Sequence, residues 1–164
     1  LHRMHHADLD FDFTTGARFH PLEILLSALI KIAAVAALGA SAAGVVAFEV
    51  VLNATSMFNH GNVAIPEHLD RWLRRFVVTP DMHRVHHSIE RDETNSNFGF
   101  NLPWWDWIFG TYRAQPRAGH QAMTIGLTEF RDPRELRLDR MLWQPIRPET
   151  GGYPIIAGSS ARAG

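Results

Sequence analysis

The sequence predicts an all-α fold, a membrane helical hairpin beneath a cytoplasmic His-rich helical cap. Two observations carry this expectation. An apolar stretch runs from Pro21 to Phe58 and is broken once, at Gly39-Ala40-Ser41. The pattern His-x-x-His-His occurs twice, at His2, His5, His6 and at His83, His86, His87. A chain of 164 residues forms one domain at most. A formal net charge of −1 gives no electrostatic basis for binding nucleic acid. With no cysteine, the chain has neither a disulfide framework nor thiolate ligands.

The hairpin reads as two helices, Pro21–Leu38 and Ala42–Asn59. Each has about 18 residues, the lower limit for crossing a hydrocarbon core about 30 Å thick. The turn is uncharged, whereas Arg3 and Arg18 precede the pair and Arg71, Arg74 and Arg75 follow it. The positive-inside tendency therefore puts both ends in the cytoplasm and the turn away from it. The alternative is a buried hairpin in a soluble all-α protein. Lys31 and Glu49 lie equally far from Ala40, so an antiparallel hairpin puts both about 13 Å from the turn. Charges at that depth are expected to pair or to face a wet interior. Glu49, Asn53 and His60 share one stripe, predicted to face the bundle interior. The blander reading has Lys31 snorkelling and Glu49 in a helix contact.

After the hairpin, Pro66 to Val78 is amphipathic. Leu69, Trp72, Leu73 and Phe76 oppose Arg71, Arg74 and Arg75, which suits a helix along the headgroup region or one facing a core. Thr79, Pro80 and Asp81 then form a helix start of N-cap, N1 proline and acidic first turn. Trp104, Trp105, Trp107, Phe109 and Tyr112 are expected to cover a site, lie at the membrane interface or pack in a core. Pro133–Trp143 reads as a short amphipathic helix. The composition of 148–164 suggests a disordered tail after a domain spanning 1–147.

On a helix, residues i, i+3 and i+4 share one face, so each triad spreads three imidazoles over an arc of about 100°. One triad also fits a wet helix face. Two triads in a cysteine-free chain point to a polynuclear, imidazole-rich metal site. Structural zinc takes four ligands, usually with cysteine among them, and six or more histidines exceed one such ion. Imidazole suits zinc, copper, iron and nickel alike, so residue type does not choose the metal.

Several ordered motifs carry a resemblance. They are Leu-His-Arg-Met-His-His at the start, Arg-Phe-His-Pro-Leu-Glu (18–23), Phe-Asn-His-Gly-Asn-Val (58–63), Thr-Pro-Asp-Met-His-Arg-Val-His-His-Ser (79–88), Asn-Phe-Gly (97–99) and Trp-Asp-Trp-Ile-Phe-Gly-Thr-Tyr (105–112). Over 1–127 the chain resembles the sterol desaturase and fatty acid hydroxylase superfamily, membrane-bound di-iron oxygenases with histidine boxes. The resemblance implies two iron ions and O2, used to hydroxylate or desaturate a sterol or fatty acyl C–H bond. It implies metal ligation by His2, His5, His6, His60, His83, His86 and His87. His20 resembles a family position but fits a capping or supporting role better. Asp106 is expected to accept a proton from a ligand imidazole, with Asn97 the weaker candidate. His68 and His120 are expected at the surface.

Family members carry an earlier His-x(3–4)-His box, so the resemblance also implies an N-terminally truncated fragment, inactive alone. No G-x-G-x-x-G motif is present, and the implied electron donor is external: a cytochrome b5-like protein, or a ferredoxin with its reductase. The competing reading is a non-catalytic membrane module that binds zinc. A Ser-His-Asp hydrolase fits less well, because no G-x-S-x-G elbow occurs.

Overall fold

The computed structural model describes residues 1–148, and every regular element among them is helical. In chain order the α-helices are α1 (Arg3–His6), α2 (Pro21–Leu38), α3 (Ala42–Asn59), α4 (Glu67–Leu73), α5 (Pro80–His86), α6 (Arg91–Thr94), α7 (Trp104–Phe109) and α8 (Leu138–Trp143). Among the described residues, β pairing is confined to an isolated antiparallel bridge between Ser88 and Ile125. The tail expected at 148–164 lies, beyond Pro148, outside the described residues.

Helices α2 and α3 form the hairpin with the predicted bounds, and local chemistry explains each end. His20 is extended and its Nδ1 accepts from the Leu22 N–H at 3.1 Å, with Pro21 at the first helical position. Gly39 ends α2 in the left-handed region, at φ 64°, where a side chain would be strained. Ser41 then caps α3 by accepting from the Gly44 N–H at 3.2 Å.

No residue of α2 is buried, and in α3 only Ser56 and Asn59 are. Leu22, Leu25, Leu29, Ile32 and Leu38 are each more than half exposed. A soluble core formed by the described residues would hide these side chains, and they are not hidden. Both helices are long and apolar enough to cross a membrane. Lys31 Nζ lies 2.5 Å from Glu49 Oε1, so the charges pair at matching depth rather than snorkelling apart. Asn53 is exposed and its Nδ2 donates to the Glu49 carbonyl at 2.7 Å, whereas His60, on the same stripe, is buried.

The cap has a small apolar core of Met4, Ala7, Phe11, Val78, Met82, Val85 and Leu127. Helix α5 starts as predicted, with Thr79 Oγ1 accepting from the Met82 N–H and Pro80 at the first helical position. The 66–78 segment differs from expectation in two ways. Its helix ends at Leu73, and Arg74 is buried rather than on a polar face. Arg74 pairs with Asp70 one turn back and donates to Tyr112 Oη at 3.3 Å and the Ala114 carbonyl at 2.8 Å. Those acceptors make burial of a guanidinium tolerable. Leu69, Trp72 and Phe76 are exposed, as a helix along the headgroup region requires. The helix predicted over Pro133–Trp143 is split into a 3-10 turn, Pro133–Leu136, and α8, because Arg137 is extended at φ −72°, ψ 140°.

Candidate metal centre

Each His-x-x-His-His copy wraps the end of a short helix. His5 and His6 lie in α1 with His2 at its N-cap; His83 and His86 lie in α5 with His87 at its C-cap. His60 follows the last turn of α3. The rings converge in two groups: His5, His60, His83 and His87, all buried, and His2, His6 and His86, of which His2 is exposed. Within each group the nearest ring nitrogens lie within 4.8 Å of one another. The groups abut, since the His6 and His87 rings stack with centroids 4.6 Å apart.

Hydrogen bonds outside the cluster fix which nitrogen faces inward. His60 Nδ1 donates to the Ser56 carbonyl at 2.8 Å, and His86 Nδ1 donates to the Ser96 carbonyl at 2.9 Å. His2 Nδ1 lies 2.8 Å from Glu23 Oε1. Holding the proton on one nitrogen leaves the lone pair of the other for the interior. His60 Nε2 then faces His5 Nε2 at 3.2 Å and His83 Nε2 at 3.0 Å. Both ring nitrogens of His87 are buried with no hydrogen-bond partner. Such lone pairs repel one another unless a cation lies among them. Ligand nitrogens about 2.1 Å from a shared ion would stand roughly 3 to 4 Å apart, close to the spacing here. The donor set therefore fits metal.

Burial, reinforced by neighbouring imidazoles, pushes His5, His6, His83 and His87 well below the ordinary value of 6.5. Burial also pushes His86 down, to about 4. These rings are neutral at pH 7, the form in which imidazole binds metal.

The surrounding shell differs from the sequence expectation. Asp106 accepts from the Phe98 N–H at 2.7 Å, the Gly99 N–H at 2.9 Å and Thr111 Oγ1 at 2.6 Å, so its oxygens serve a loop rather than an imidazole. That loop brings the Phe98 ring to 5.5 Å from His86. Asn97, at φ 50°, donates from Nδ2 to the Met82 and Arg113 carbonyls, both at 2.9 Å, and so anchors the helix carrying the second triad. His20 acts as a cap; its Nε2 donates to the Leu142 carbonyl at 3.2 Å. His68 is exposed. His120, expected at the surface, is largely buried, with Nδ1 3.9 Å from Asp81. Trp104, Trp105, Trp107 and Phe109 are exposed and do not cover the histidines. Phe19 does, stacking on His5 at 4.7 Å, and Phe11 lies 5.2 Å from the His87 ring.

Sequence reasoning missed Glu23, Phe19 and Ser96. Glu23 and Phe19 stood within a quoted motif, but 21 residues separate Glu23 from His2 and no spacing rule joins them.

A chain with two adjacent imidazole groups above an apolar hairpin is a membrane-bound histidine-box metalloprotein by architecture. The comparison with protein families gives the class directly: the chain belongs to the fatty acid hydroxylase family, matched over residues 1–111. An ornithine lipid hydroxylase from Rhizobium tropici is 44% identical over 50 residues, which cover 30% of this chain and 14% of that protein. No solved structure matches the chain.

Proposed function

We propose that the chain contributes the metal-binding part of an iron-dependent, O2-using lipid hydroxylase. The observation that carries this reading is the pair of abutting histidine groups, with neutral rings and inward lone pairs, at the end of an apolar hairpin. His5, His60, His83 and His87 would hold one ion, and His2, His6 and His86 a second. Two irons, when bound, supply the redox chemistry that places an oxygen atom from O2 on a lipid C–H bond.

The chain's own residues do the rest. Ser56, Ser96 and Glu23 hold protons on the outer nitrogens of His60, His86 and His2, so that the inner nitrogens stay available. Phe11, Phe19 and Phe98 exclude water from the imidazoles. The three-histidine group, with His2 exposed, leaves room for a further ligand or co-substrate. The hairpin positions the centre beside lipid, and the arginine flanks favour the cytoplasmic side. Electrons come from an external donor, a cytochrome b5-like protein or a ferredoxin with its reductase. The relative's name points to an ornithine lipid as one substrate to try; sterols and fatty acyl lipids are the others.

A second reading keeps one observation on its side. His5, His60, His83 and His87 alone form an enclosed four-nitrogen set, which suits a single structural zinc. Metal analysis of protein purified from membranes separates the two, with iron Mössbauer spectroscopy and product analysis on supplied lipids. Two irons per chain and a hydroxylated lipid support the hydroxylase; one zinc and no product support the module.

A further inference from the structure

The hairpin groove has two chemically different halves. The half next to the histidines is a cavity of about 500 Å³ whose wall includes Glu23, Ser27 and Lys31 on α2 and Glu49, Asn53 and Ser56 on α3. On α2 these residues recur every fourth position, and on α3 at four and then three, so two polar stripes face each other. The half toward the turn is a cavity of about 520 Å³ lined by Ile32, Val35, Leu38, Val45 and Phe48. Lys31 and Glu49 line both cavities, so their ion pair marks the boundary.

The upper end of the polar half meets residues that touch the outer nitrogens of the metal centre. Ser56 accepts the His60 Nδ1 proton on its carbonyl, and Glu23 Oε1 holds His2. From Glu23 to Lys31 is eight residues, about 12 Å of helix rise. Polar side chains in a membrane hairpin are costly unless they serve a site or pathway. Although Lys31 and Glu49 pair with each other and Asn53 and Ser56 bond to backbone carbonyls, a purely hydrocarbon substrate would offer nothing to the remaining polar atoms. Glu23 Oε2 is buried and has no hydrogen-bond partner among the described residues. Lys31 already neutralises Glu49, so the polar half is left with the charge of Glu23.

We propose that the groove binds a single upright amphiphile. Its polar end, carrying an ammonium or comparable hydrogen-bond donor, lies in the polar half against the histidine centre. Its hydrocarbon tail lies beyond the Lys31–Glu49 pair. This rests on the lipid-hydroxylase reading and narrows it: the part of the lipid nearest the histidine centre is its polar part, and the chain end is some two helical turns or more away.

Two photoreactive zwitterionic amino lipids, identical except for a diazirine on the headgroup or at the end of the acyl chain, test the orientation. Each is incubated with the full chain in detergent micelles, irradiated, and the labelled peptides are mapped; metal content is measured on the same preparation. The headgroup probe is expected to label positions around Ile24, Ser27 and Asn53, and the chain-end probe positions around Ile32, Val35 and Val45. In the Ser27→Leu/Asn53→Leu double variant, headgroup labelling should fall about tenfold while chain-end labelling persists. Chain-end label in the polar half, indiscriminate label from both probes, or no label in the groove overturns the proposal. Labelling needs neither metal nor turnover. The expected pattern in protein that never binds iron would therefore refute the hydroxylase and leave the groove standing.

Discussion

Acidification from pH 7 to pH 5 will destabilise the metal-free cap by about 2 kcal/mol through His86 alone. Folding pushes this imidazole down to about 4 from the ordinary 6.5. At pH 7 the ring is mostly neutral whether the chain is folded or not, and the contribution is nearly zero. At pH 5 the unfolded chain holds the proton in about 97% of molecules and the folded chain in about 10%. The difference in proton uptake over that interval integrates to about 2 kcal/mol. The sign follows from the depressed folded value. Stability is fully present above 6.5, falls as pH drops through that value, and the loss is complete below about 4, where both states are protonated. His5, His6, His83 and His87 shift in the same direction, so the whole-site loss is larger. The assay is urea unfolding of chelator-treated protein in micelles, followed by tryptophan fluorescence at pH 7, 6 and 5. The His86→Gln variant should show a shallower pH slope. An unfolding midpoint that stays fixed or rises on acidification would mean that these rings are wet or already protonated in the folded state, and the argument for metal-ready imidazoles would collapse.

Other outcomes follow from particular contacts. Glu23→Ala should weaken metal binding at the His2–His6–His86 group by about 10- to 100-fold, with Glu23→Gln closer to wild type, as read by competition titration with a metal indicator. Equal weakening at both groups would place Glu23 elsewhere in the logic of the site. Asp70→Asn removes the only carboxylate paired with the buried Arg74 among the described residues and should cost about 3 to 5 kcal/mol of cap stability, whereas Glu67→Gln, at an exposed pair on the same helix, should cost almost nothing. Gly16→Val should lower metal affinity, because a Cβ there already meets Ser56 Oγ at 3.0 Å and His60 Nδ1 at 3.1 Å. Unchanged affinity in that variant would show that His60 has slack.

Much of this architecture was legible because short-range chemistry announces it. Gly39 and Ser41 mark where one helix must stop and the next begin, and Thr79-Pro80 marks the start of α5, with no help from the rest of the fold. The shared spacing of the two triads was enough to expect convergence. What stayed hidden depends on partners distant in sequence. A helical wheel puts Arg74 among its charged neighbours; only the folded 112–114 segment supplies the acceptors that draw it inward. Asp106 looked like a partner for imidazole because both residue types are suited to it, yet the backbone amides of Phe98 and Gly99 lie closer and take its oxygens. His120 looked peripheral because its sequence neighbours are polar, but the loop folds it against Asp81.

The origin of the four-nitrogen group has a consequence for how the protein matures. Three of its members, His5, His83 and His87, come from the cap, while His60 is fastened by its own carbonyl contact to the last turn of α3. Neither part alone can offer four inward nitrogens. The cap therefore cannot form this group without the hairpin, and a hairpin without its cap exposes a lone imidazole. Metal capture by these four nitrogens becomes an assembly checkpoint, because it requires the hairpin and the cap to be docked together.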